Sequence, residues 1–247
     1  MVGAPAAADA VARARRLPGL HVGLHVVVVD GRPVLPARDV PALVDGDGSF
    51  RNDLVRAGFR LAFDPAAKVQ LEREIRAQFA AFQATGLALD HANAHRHMHL
   101  HPTVGRLIVA VGESFGLKAV RIPREPIAAL RRAQARPADL AVAALHAPFA
   151  TLLRRRVRAA GLLANDQLLG LAWTGGMTEE RVLRFIDGLS PGVSELYLHP
   201  AASRTAPLVR AMPRYRQTEE LAALVSPVVR RRIESGGIAL IGYGALG

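Results

Sequence analysis

Hydrophobic and polar positions along this chain follow two periods in alternation. Between residues 66 and 85, Leu71, Ile75, Phe79 and Phe82 recur at spacings of four and three, while Glu72, Arg73 and Arg76 take other faces. That pattern predicts an amphipathic helix, with Gly86 placed to end it. An Ala-rich stretch over 5–17 reads as a helix closed by Pro18-Gly19. His21 to Val29, ending in the β-branched run Val26–Val29, reads as a strand. Residues 30–65 hold turn chemistry such as Asp45-Gly46-Asp47-Gly48 and predict a long loop with some helix. Further strands are expected through about residue 100, at 119–122, 194–199 and 238–243. Helices are expected at 102–116, across 127–160, from Thr178 to Gly188, and at 217–234. Thr178 followed by Glu179 and Glu180 suits an N-cap with an acidic first turn.

Strands alternating with helices imply parallel β-α units and an α/β fold. For one domain spanning 1–247, a (β/α) barrel-like architecture is the leading expectation. A doubly wound nucleotide-binding sheet is less favoured, because no Gly-x-Gly-x-x-Gly follows an early strand.

Composition narrows the classes. With 50% hydrophobic and 21% charged residues, the chain has ample apolar surface to fold. No apolar run reaches the length of a membrane span, and the opening residues do not resemble a secretory signal. The absence of Cys excludes disulfides, thiolate nucleophiles and Cys-ligated zinc. A cytoplasmic location follows, with the inner membrane surface as an extension of it. The net charge of +11 comes from 30 Arg and two Lys, Lys68 and Lys118. Clusters such as Arg154-Arg155-Arg156 are not interleaved with aromatics, so no specific nucleic-acid partner is expected.

One segment dominates the chemistry. His91-Ala92-Asn93-Ala94-His95-Arg96-His97-Met98-His99-Leu100-His101-Pro102 holds five of the nine histidines. Each odd position from 91 to 101 is His or Asn, which on a strand would form one polar imidazole face. Such a face is costly to bury without partners, and neutral imidazole is the commonest metal ligand. A metal or acid-base centre is the favoured reading over an exposed strand or a storage tract. His25 and His199 sit near the ends of other predicted strands, where barrel active sites gather. His21 and His146 lack such support.

In order, Gly23-Leu24-His25, the histidine row, Val120-Arg121-Ile122-Pro123-Arg124 and Leu198-His199-Pro200-Ala201 resemble the YdjC-like carbohydrate deacetylases. The resemblance covers essentially the whole chain. With Gly31-Arg32-Pro33-Val34-Leu35-Pro36, it is most similar to the hopanoid-biosynthesis-associated branch. It implies metal-dependent hydrolysis of the acetyl group from an N-acetylated sugar, in that branch one carried on a hopanoid glycolipid. His25 and His95 match metal ligands, and His199 matches the acid near the leaving amine. Arg121 and Arg124 match basic substrate-orienting positions. His97 and His99 match substrate or outer-sphere contacts, as does Asn93, which stands where many relatives have Asp. The implied ion is Mg²⁺, with Zn²⁺ as the alternative. Peripheral membrane association and a homodimer are compatible with this reading.

The resemblance also implies a first strand bearing Asp-Asp-Phe-Gly, which supplies a metal ligand and the general base. This sequence lacks that motif, so an incomplete barrel without its first strand and helix is expected. Asp30 and Asp90 are the nearest carboxylates in sequence. Two other readings remain open at this point: a repurposed scaffold that binds a membrane or nucleic acid without catalysis, and an amidohydrolase-type enzyme using His95 and His97.

Overall fold

The computed structural model describes residues 1–246. In chain order it contains α1 (Ala7–Ala14), β1 (Leu24–Val26), α2 (Leu54–Phe63), α3 (Pro65–Gln83), β2 (Ala92–Ala94) and α4 (Pro102–Glu113). It continues with α5 (Ile127–Arg132), α6 (Pro137–Ala159), β3 (Gln167–Leu169), α7 (Glu179–Asp187) and β4 (Ser194–Leu196), then α8 (Ala206–Ala211), α9 (Gln217–Leu224) and α10 (Pro227–Ser235). The chain divides into two compact units. Among the described residues, one comprises 1–121, 149–164 and 241–246; the other comprises 122–148 and 165–240.

The first unit is organised by α3. Leu71, Ile75 and Phe79 are essentially inaccessible, as the periodicity predicts, and each contributes about 1.5–3 kcal/mol by leaving water. Phe79 stacks on Phe115 just beyond α4, with ring centroids 5.5 Å apart. Asp64 caps α3 by accepting from the amides of Ala66 and Ala67. The same helix buries two polar residues, Glu74 and Gln78. Gln78 accepts from Val27 N at 2.9 Å and donates to Val27 O at 2.6 Å. Glu74 accepts from the amides of Val34 and Leu35 at 2.8 and 3.0 Å.

These side chains explain why the first strand is shorter than the sequence suggests. β1 pairs in parallel with β2 only over Leu24–Val26, and at Val27 both backbone groups are bonded by Gln78 of α3. Parallel bridges from Ala92 to Val120 and from Ala119 to Leu163 extend the pairing in chain order. The second unit repeats this organisation on a smaller scale. β3 and β4 pair in parallel, and Leu168 N donates to Arg124 O at 2.8 Å. Its core packs Leu169, Met177, Val182, Phe185 and Ile186 with residues of α5, α9 and α10.

The architecture is therefore mixed α/β with parallel pairing, as expected, but the two sheets have two strands each and stay open. No closed barrel is present among the described residues. Residues 238–243, expected as a final strand, form no strand and lead into a 3-10 turn at Tyr243–Ala245. Thr178 does precede α7, and Gly188 ends it, yet the Thr178 side chain makes no capping hydrogen bond. No helix among the described residues is long and apolar enough to cross a membrane.

Candidate functional site

The histidine row does not form one strand face. β2 stops at Ala94, and His95–Leu100 coils into 3-10 turns in which Arg96 and His97 both have φ of 53°. Left-handed backbone at non-glycine residues is strained, and such strain gathers at functional sites. Asp30, with φ of 52°, is a third case, and its carboxylate accepts from Arg96 at 2.7 and 3.1 Å. The alternation of the sequence thus breaks at the point where the imidazoles have to turn toward one another.

That turn separates the histidines by role. His101 belongs to the fold: its Nδ1 accepts from Thr103 N at the start of α4, and its Nε2 donates to Gly58 O at 3.1 Å. His99 is fully buried, and its Nδ1 accepts from Ala94 N at 3.2 Å. Burial pushes its imidazole well below the ordinary range. The His97 ring lies 6.0 Å from that of His99. Gly105 of α4 lets the helix approach this turn, since a Cβ there would collide with His99 O.

His25 and His95 come together. His25 Nε2 lies 3.4 Å from His95 Nδ1. The other nitrogen of each ring faces a polar side chain. His25 Nδ1 is hydrogen-bonded to Asn93 Oδ1, and His95 Nε2 is 3.8 Å from Asp30 Oδ2. An amide oxygen only accepts, so this contact calls for the hydrogen of His25 on Nδ1. Burial holds the His25 imidazole down at about 3 and lowers that of His95 as well, so both are neutral at pH 7. Arg121 adds a positive charge that bears on both His25 and His99. Hydrogen bonding to Arg96 holds the Asp30 carboxyl below the usual range, which suits it to orient His95 rather than to take a proton.

This pair has the dimensions of a metal edge. Two imidazoles bound tetrahedrally at about 2.1 Å place their nitrogens about 3.4 Å apart. The outward nitrogen of His25 is held by an amide, as ligating histidines generally are, and that of His95 lies 3.8 Å from a carboxylate. Among the described residues, no group of three His, Asp or Glu is arranged to hold an ion. The donors present therefore fit two positions of a coordination sphere.

In the second unit, His199 follows β4. Its Nε2 is 3.0 Å from the Tyr197 hydroxyl, its ring packs edge-on to Tyr215 at 5.1 Å, and its backbone N donates to buried Glu220. Glu220 also accepts from Met177 N at 2.9 Å, so it fixes two loops at once. Arg124 is exposed and leads directly into Glu125. Sequence reasoning passed over Glu125, which is buried and accepts from the amides of Gly170, Leu171 and Ala172 at 2.6, 3.1 and 2.9 Å. Burial lifts this carboxyl to about 6, with the three amide donors offsetting part of the effect.

A pH dependence follows. As pH rises from 4.5, the ordinary value, toward about 6, the unfolded chain loses this proton before the folded one does. Stability therefore falls over that window, by about 2 kcal/mol. Comparing wild-type and Glu125→Gln denaturation midpoints at pH 4.5 and 6.5 isolates the contribution: the variant lacks this decline. An equal pH response in both proteins would refute it.

Among curated proteins, the chain is 30% identical over 245 residues to a carbohydrate deacetylase of Geobacillus stearothermophilus, covering 98% of this chain and 83% of that protein. It is 27% identical over 239 residues to a carbohydrate deacetylase of Brevibacillus brevis, covering 96% and 83%. A crystal structure from Enterococcus faecalis, described as that of a candidate cellobiose-phosphate cleavage protein, superposes with a TM-score of 0.74 at 20% identity. The match covers all of this chain and 86% of that one, and it speaks to fold alone. The family model of the YdjC-like proteins matches residues 1–235, and the chain belongs to that family.

Proposed function

We propose that this protein is a metal-dependent hydrolase that removes the acetyl group from an N-acetylated sugar. The observation that carries the reading is the His25–His95 pair, whose facing nitrogens are 3.4 Å apart, with Asn93 bonded to the outer nitrogen of His25 and Asp30 3.8 Å from that of His95. The relatives' description as carbohydrate deacetylases supplies the substrate class. The parallel segments, paired in chain order, support a barrel-like rather than a doubly wound sheet.

His25 and His95 would hold the ion. Imidazole donors favour a borderline ion such as Zn²⁺ over Mg²⁺, which prefers carboxylate and water oxygens. A divalent ion supplies polarisation of the acetamide carbonyl and a more acidic water. Asn93 and Asp30 orient the two rings. Arg121 and Arg124 are assigned to substrate anions or polar groups, and His97 and His99 to the surroundings of the ligands. On the resemblance alone, the general-acid role falls to His199; such an acid is needed because an amide anion is a very poor leaving group. The net reaction adds water across the amide bond and yields acetate and the free amino sugar. On the resemblance to the hopanoid-associated branch, a sugar carried on a glycolipid is the second substrate form, approached at a membrane surface.

The deciding experiment is acetate release. The chelated protein is supplied with Zn²⁺, Mg²⁺ or no metal, then given an N-acetylglucosamine disaccharide or an N-acetylglucosamine glycolipid. Stoichiometric acetate that disappears on chelation and returns with metal is the expected result. No acetate from either substrate with any metal would overturn the reading.

A further inference from the structure

We propose that Asp90 fixes the direction of a hydrogen-bond chain through His91 and Asn93, and so determines which nitrogen of His25 is left bare. The proposal rests on the reading of His25 as a ligand. It is a statement about where hydrogens sit on neutral rings.

Asp90 is buried, with its oxygens surrounded by donors. Gly244 N lies at 2.9 Å, Tyr243 N at 3.3 Å, His21 Nδ1 at 3.2 Å and His91 Nδ1 at 2.9 Å. An ionised carboxylate only accepts, so His91 presents Nδ1–H to it and keeps Nε2 as an acceptor. Asn93 Nδ2 then donates to His91 Nε2 at 3.2 Å, which turns Asn93 Oδ1 toward His25. His25 must answer with Nδ1–H. Its Nε2 is thereby left as a lone pair facing His95.

The reversed chain uses the same atoms but conflicts with the carboxylate of Asp90. His91 would donate from Nε2, the Asn93 amide would flip, and His25 would accept at Nδ1 and donate from Nε2 to His95 Nδ1. That arrangement closes the pair with an internal hydrogen bond and hides the ligand nitrogen. Asp90 opposes it, since a reversed His91 would turn a lone pair toward the carboxylate.

The surroundings hold this anchor still. The Tyr243 ring stacks on His91 at 4.4 Å, while the amides of Tyr243 and Gly244 bind Asp90. His91 also lies against Gly23, where a Cβ would fall 2.5 Å from the imidazole. Gly23 in the Gly-Leu-His motif thus makes room for a ring that positions His25 two residues later. The turn at 242–245 becomes a positioning element for the histidine pair.

The test uses the full chain, labelled with ¹⁵N-histidine and freed of metal. Long-range ¹H–¹⁵N spectra report the tautomer of each ring. His25 and His91 are expected as Nδ1–H in the wild type. In Asp90→Asn, His25 moves toward Nε2–H and its affinity for Zn²⁺ alone, read by calorimetry, falls about 10- to 100-fold. An aspartate at position 93 accepts from both rings, so Asn93→Asp in the Asp90→Asn background restores the Nδ1–H form of His25. Wild-type His25 as Nε2–H would overturn the proposal whether or not the variants fold. So would Asp90→Asn with unchanged tautomer and zinc affinity. A wild type with Nδ1–H His25 that binds no zinc would uphold the hydrogen-bond chain and overturn the metal reading instead.

Discussion

His25→Ala and His95→Ala are each expected to lower zinc affinity by more than about 100-fold and to reduce acetate release at least as much. Loss of an outer-sphere partner alone typically costs about 10–100-fold in affinity or activity, and loss of a ligand exceeds that. The two substitutions remove one nitrogen each from a pair 3.4 Å apart, so the double variant should be little worse than either single one. Calorimetry with zinc, followed by acetate assays at saturating metal, checks both parts. Either variant retaining wild-type affinity and activity would remove that residue from the site. Circular dichroism and a denaturation midpoint establish that the fold persists, and His95, at the start of a partly exposed turn, is the milder of the two changes.

His199→Gln should behave differently. Zinc affinity should stay within about twofold of wild type, while kcat falls about 10²- to 10⁴-fold, the range contributed by a positioned general acid. Gln keeps most of the volume between Tyr197 and Tyr215 and leaves the backbone bond to Glu220 intact. A substrate with an activated leaving group, which departs without protonation, should recover most of the loss. An equal loss on both substrates would show that His199 does not act as an acid.

The helical periodicity of Leu71, Ile75, Phe79 and Phe82 was legible because burial follows one face of a regular helix. The pairing of His25 with His95 was legible through strand-end placement and motif resemblance, since no local pattern brings residues 70 positions apart together. Alternation across 91–101 was misleading. It described residues 92–94 correctly, but the left-handed Arg96 and His97 turn the backbone out of register, and neither residue type signals that. Glu74, Gln78 and Glu125 were missed for one reason. Each is a polar residue spent on backbone amides far away in sequence, and in a sequence such residues look like solvent-facing ones. An early clue to Asp90 was available in its position directly before the histidine row, but its partners Tyr243 and Gly244 lie at the far end of the chain.

The bond between Gln78 and Val27 has a consequence beyond the geometry of β1. Val27 offers a backbone donor and acceptor just where the sheet ends, and a bare sheet margin is a template onto which a foreign strand can add. One amide side chain from α3 occupies both groups, imitating a neighbouring strand one residue long. Within the four-valine run, the most strand-prone segment in the sequence, the margin at Val27 is thus closed to other chains by the protein's own helix.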